Sequence, residues 1–175
     1  MLVRNSHELG FSLVELMITI AILAIVTSIA FPSYTQFIAN ARIRTVAESI
    51  SNGLQVARAE AVKRNAVVRF TLANDTSWVV DCPTVTANCP ASIQAKTPKE
   101  GASASISLTR TGSNTVSFTS LGTTNSVAGQ MSQVDVDNSA ISTTLSRDLS
   151  IRIGVGGNTR VCDPNISATT DPRRC

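Results

Sequence analysis

Hydrophobic positions fall into three regimes along the chain. From Phe11 to Phe31 they are nearly continuous, FSLVELMITIAILAIVTSIAF, and the one charge is Glu15. At about 1.5 Å per residue such a helix covers the roughly 30 Å hydrocarbon core of a bilayer, so the run predicts one membrane-spanning segment. Pro32 follows at once and, lacking an N–H donor, predicts a bend or interruption. Beyond it the pattern turns amphipathic. Ile43, Val46, Ala47, Ile50, Leu54, Ala57 and Ala61 recur at helical spacing, whereas Arg42, Arg44, Glu48, Arg58, Lys63 and Arg64 take other positions, and Asn65 is a C-cap. The expectation is one long helix from Ser12 to Arg64, kinked at Pro32, whose second half lies on a globular domain.

After Asn65 the period becomes two. Val67–Leu72, Trp78–Asp81, Ser105–Arg110, Val116–Ser120, Val134–Val136 and Leu149–Ile153 read as short strands between turn-rich segments. The fold class is therefore α+β, a long N-terminal helix packed on an antiparallel β-sheet domain, with Trp78 and Phe118 assigned to the core. A chain of 175 residues suits one such domain.

Composition narrows the class. Charged residues are 15% of the chain, below the roughly 25% of an average soluble protein, and Ser, Thr and Asn crowd the region from Thr71 to Thr170. That is the make-up of a short-stranded extracytoplasmic domain, and the abundant Val and Ile exclude intrinsic disorder. The net charge of +3 is unevenly spread: residues 42–69 carry +4, residues 70–149 carry −2, and the last 26 residues carry +2 from Arg152, Arg160, Arg173 and Arg174 against Asp163 and Asp171. Four cysteines allow three pairings. Cys82 with Cys89 and Cys162 with Cys175 are the local ones, favoured because they close small loops and because an exported domain sits in an oxidising compartment. Zinc is disfavoured by the spacing and by a lone His7. No nucleophile elbow, phosphate loop or diagnostic carboxylate pair occurs, so no catalytic residue, cofactor or small-molecule substrate is expected; Gly154-Val155-Gly156-Gly157 reads as a turn or bulge.

A secretory signal has a shorter apolar core followed by its cleavage site. Here the polar piece MLVRNSHELG precedes the apolar run, so cleavage is expected before it. Gly10-Phe11-Ser12-Leu13-Val14-Glu15 resembles the type IV pilin processing motif. The resemblance implies that prepilin peptidase cuts after Gly10, that Phe11 becomes the N-methylated terminus, and that Glu15 meets a neighbouring subunit's terminal amine in the filament. Elementary energetics agrees, because a carboxylate in an apolar helix costs several kcal/mol unless paired. The divisions that follow are a leader at 1–10, a membrane and filament-core helix at 11–31, its amphipathic continuation at 32–65, and a periplasmic β domain with a disulfide-closed tail at 66–175.

The stretch from Leu54 to Asn65, LQVARAEAVKRN, followed by a Val-rich strand, resembles the FimT/FimU and GspH group of minor pilins and pseudopilins, and the tail from Arg160 to Cys175 resembles the closed ends of FimT and FimU proteins. That implies a non-enzymatic subunit of the inner membrane with its bulk in the periplasm, later at or near a pilus tip or extracellular, whose partners are other major and minor pilins and prepilin peptidase. Two alternatives accompany this assembly role. One is capture of double-stranded DNA for transformation by Arg152, Arg160, Arg173 and Arg174; of the FimT Gly-Arg-x-Arg pattern, Gly157-Asn158-Thr159-Arg160 keeps the Gly and the final Arg. The other is a pseudopilin of type II secretion.

Overall fold

The structure is a computed structural model that describes residues 11–97, 105–125 and 128–175; the leader with its cleavage residue Gly10 lies outside the described residues. Among the described residues one helix and eight strands follow in order. Helix α1 spans Leu13–Arg64, and strands β1 to β8 span Val68–Leu72, Trp78–Asp81, Gln94–Lys96, Ile106–Thr111, Thr115–Phe118, Gln133–Asn138, Leu149–Ile153 and Thr159–Cys162.

The helix runs without interruption through Pro32, so of the bend or interruption expected there the interruption does not occur. Proline removes one i→i−4 bond from the ladder, and the bonds of the turns on either side carry the helix past it. Two compact units divide within the helix, between Phe37 and Ile38. At its far end the helix closes with Asn65 at φ 49°, Ala66 N–H donating to Ala61 O at 3.2 Å and Asn65 N–H to Val62 O at 3.3 Å. That pair of bonds is the Schellman closure, and Asn tolerates its left-handed residue.

In the unit from Ile38 onward the strands form two four-stranded antiparallel sheets, β3-β2-β1-β5 and β4-β6-β7-β8. The helix face read from the sequence is the buried one: Ile43, Val46, Ala47, Ile50, Leu54, Ala57 and Ala61 share one core with Phe70, Trp78, Val80 and Phe118 of the first sheet and Val134, Val136 and Ile151 of the second. Trp78 is buried and its indole N–H donates to Ser49 Oγ at 3.1 Å, which satisfies the polar handle of an otherwise apolar side chain. Arg69 and Asp81, directly opposite across β1 and β2, form a two-point ion pair at 2.9 and 2.7 Å.

Two strands, β3 and β8, had no counterpart in the periodicity. β3 is three residues at a sheet edge with no buried position, and β8 buries only Cys162. An edge strand with one wet side shows little alternation, because its existence depends on a neighbour's backbone groups.

Candidate functional site

Helix α1 begins with Ser12 as N-cap: its Oγ accepts from the Glu15 backbone N–H at 3.2 Å. Glu15 is therefore at the third helical position, the S-x-x-E spacing of a capping box, where the positive end of the helix favours a carboxylate. That spacing was readable in the sequence, and it gives Glu15 a local stabiliser beside any intermolecular one. All residues from 11 to 31 are exposed, and the Glu15 carboxylate has no partner among the described residues. The run's hydroxyls are satisfied internally. Thr19, Thr27 and Ser28 donate to the carbonyls of Leu16, Leu23 and Ile25, each at 2.8 Å. With its backbone ladder and hydroxyls closed on themselves, the segment asks for apolar surroundings everywhere except at Glu15.

The second candidate site is the tail. Both local disulfides are present, Cys82–Cys89 and Cys162–Cys175. The second bridge folds the chain end back beside β8, where Asp163 N–H donates to Arg173 O at 2.7 Å and Cys175 N–H to Asp163 O at 3.3 Å. All four tail arginines come together here, in different roles. Arg152 and Arg160 are directly opposite each other on β7 and β8. Two like charges so placed repel, and the returning tail inserts acceptors against them. Arg152 Nη1 donates to Cys175 O at 3.0 Å, and Arg160 Nη2 to Pro172 O and Arg174 O at 2.7 and 2.8 Å. The Pro172 and Arg174 carbonyls are neutral and leave the positive charge of Arg160 in place. Arg173, by contrast, is clamped two-fold on Asp171, at 3.1 and 2.8 Å. The Arg174 side chain is exposed, with no partner among the described residues. The sequence signalled the cluster but not these latches, since main-chain acceptors leave no trace in residue identity.

Acid should loosen this end. The hydrogen bonds from the Arg173 guanidinium, helped by the Arg173 backbone N–H, hold the Asp171 carboxyl down to about 2 from its ordinary 3.8. A lowered carboxylate stabilises the fold fully above its ordinary value and loses that contribution as pH falls toward the folded one. NMR of the tail amides is expected to show a transition centred near the folded value of about 2 that disappears in Asp171→Asn; a transition unchanged in the variant would show that another group controls it.

The centre of the second sheet's neighbouring surface is acidic. Ser146 Oγ lies 2.8 Å from Asp137 Oδ1 and 2.5 Å from Asp148 Oδ1. Burial first, and then the facing Asp137, push the Asp148 carboxyl up. Among the described residues no group of side chains is arranged to hold a metal ion.

Comparison with known proteins gives three findings. The family described as type II transport protein GspH matches residues 46–165, and the prokaryotic N-terminal methylation motif matches residues 5–31. No curated protein matches the chain by sequence. The type IV minor pilin FimU of Pseudomonas aeruginosa PAO1, in its P21 crystal form, shares the fold at 14% identity, with a TM-score of 0.53 over 75% of this chain and 99% of that one. Its P65 form, also 14% identical, gives a TM-score of 0.49 over 71% and 99%.

Proposed function

The chain belongs to the GspH family, and from that membership we propose that it is a minor type IV pilin that helps start filament assembly, inserted in the inner membrane with its bulk in the periplasm and ending at or near the pilus tip. Prepilin peptidase cuts after Gly10, Phe11 is methylated, and Glu15 pairs with a neighbouring subunit's amine. The observation that carries this reading is the helix from Leu13 to Phe31: apolar, exposed, self-satisfied in its hydroxyls, and bearing one carboxylate five residues after Gly10 within a matched methylation motif. A membrane alone explains the apolar run; the carboxylate asks for another subunit. The partners are other major and minor pilins, and the role is structural, without catalysis. Mass spectrometry of the chain purified from sheared filaments is expected to find an N-methylated Phe11 terminus. An uncut chain confined to the membrane would sink the proposal.

Double-stranded DNA capture is a second reading, favoured by the guanidinium charges of Arg160 and Arg174, which the tail bridge gathers beside Arg152 without neutralising them. It reassigns Arg173, whose charge is engaged by Asp171. Arg forks suit phosphate oxygens, and each phosphate contact contributes about 0.9 to the log–log salt slope. Binding to duplex DNA by the chain should weaken with salt, and Arg160→Ala with Arg174→Ala should flatten that slope by about 1.8. A slope the double variant leaves unchanged would remove the tail from any such role. The family's description favours a third reading, a pseudopilin of type II secretion, with the same helix chemistry.

A further inference from the structure

We propose that a platform built from two loop tips and the last turns of α1 docks a second, different pilin-type subunit, one that presents a carboxylate flanked by apolar side chains. The inference rests on the reading of the chain as a pilin subunit and names the surface that would make its lateral contact.

The platform is assembled by close approach. Arg58 Nε, on α1, donates to Gly122 O at 2.9 Å, which pins the loop after β5 to the helix. The turn between β7 and β8 then closes over the same carbonyl. A Cβ at Gly157, whose φ is +75°, would lie 1.9 Å from Gly122 O, so glycine is required there both by conformation and by space. Thr124 N–H and its hydroxyl both donate to Val155 O at 3.1 Å, tying the two loops together. Four contacts from three elements thus fix a surface that a pair of free turns would not hold.

What the platform presents is unusual for turns. Leu121 and Val155 stand at the two joined tips at 84% and 87% exposure, beside Val62 of the helix at 53%. Turn tips are ordinarily polar, and an apolar cluster held rigidly in solvent marks a contact surface. Next to it runs an open groove of about 560 Å³ between Gln55, Arg58, Val62 and Lys63 of the helix and Gly157 and Thr159 of the β7–β8 turn and β8. Its charge is positive. The terminal nitrogens of Arg58 have no partner among the described residues, and Lys63 is exposed, sharing Glu60 with Arg64. An apolar rim around unspent guanidinium donors fits a carboxylate carried on an apolar edge, with the charge selecting the partner and setting its register. A second copy of this chain matches less well, because beyond the apolar run its described carboxylates are already engaged, Glu48, Glu60, Asp81 and Asp171 by arginines and the remaining Asp residues by neighbouring polar groups.

The test places a photoreactive benzoylphenylalanine at Leu121 of the full chain in piliated cells, with the same probe at exposed Thr109 of β4 as reference. The expected product is a cross-link to a different chain that has its own N-terminal methylation motif, through a peptide containing Asp or Glu, at a yield about tenfold above Thr109 and falling about tenfold in Lys63→Glu, as a like-charge contact requires. Arg58→Met also loses the Gly122 bond, so Lys63→Glu reads the charge alone. A cross-link to a second copy, to a chain without the motif, or equally from Thr109 would overturn the inference, as would a yield unmoved by Lys63→Glu. The Phe11 terminus and the chain's presence in sheared filaments are scored in the same cells. If both are found and no cross-link forms at Leu121, the platform is refuted and the pilin reading stands; if both are missing, the pilin reading fails first.

Discussion

Replacing Glu15 with Leu is expected to leave the chain inserted in the membrane and cut after Gly10, yet to remove it from filaments. The substitution makes the apolar run more hydrophobic and spares the peptide bond that is cleaved, so insertion and processing have no reason to fail. Assembly does. In the proposed filament the carboxylate meets an amine in surroundings without water, and breaking a desolvated pair by removing one partner costs about 3–5 kcal/mol. That corresponds to a loss of roughly 10²- to 4 × 10³-fold in incorporation. Glu15→Gln separates charge from shape: it keeps the length of the side chain and the Ser12 cap, and should still lose most of the incorporation. Either variant found in sheared filaments at the native level would show that Glu15 serves only the helix terminus, where Ser12 already satisfies its backbone N–H.

The largest stability effect should come from Phe70→Ala. Phe70 is fully buried on β1, opposite Val80 and Val116, with its ring 5.8 Å from that of Trp78. It is the point where the first sheet meets the helix at Gly53, since a Cβ at Gly53 would lie 2.7 Å from Phe70 Cε2 and 3.0 Å from the Trp78 ring. Truncating the ring removes its transfer free energy and leaves a cavity, about 3–5 kcal/mol. For a chain of this size that lowers Tm by roughly 10 °C. Gly53→Ala should destabilise by about 1–3 kcal/mol through overpacking. The same change in the Phe70→Ala background should cost much less, because the added methyl enters the vacated space, giving a coupling that distant sites do not show. Additive losses in the full chain, measured in detergent, would mean that helix and sheet do not meet through these residues.

Local periodicity carried most of the fold. The seven apolar helix positions from Ile43 to Ala61 are all buried, because a helix that lies on a core must repeat its contacts every three or four residues. The six strands that alternate were legible for the corresponding reason at period two. Both disulfides were favoured from the short loops they close and from the oxidising compartment of an exported domain, two signals that local sequence carries. The methylation motif was legible because it is a pattern of neighbouring residues that needs no fold to be recognised, and the motif matches residues 5–31.

The tertiary structure alone decided the rest. β3 and β8 exist because β2 and β7 offer them backbone groups, a property of the neighbour and not of their own residues. The helix passes Pro32 because one missing bond is carried by the turns around it, and the identity of proline records only the missing bond. Four arginines of one composition became two latches, one clamp and one exposed charge, according to which main-chain oxygens the returning tail set against them. The platform at Leu121 and Val155 was invisible for the same reason. Its construction depends on Gly122 and Gly157, far apart in sequence, lying within a distance that only the packed sheets and helix impose. Sequence determines what each residue can do over three or four neighbours; the roles of the tail arginines and the loop tips are set by long-range approach, which no local pattern encodes.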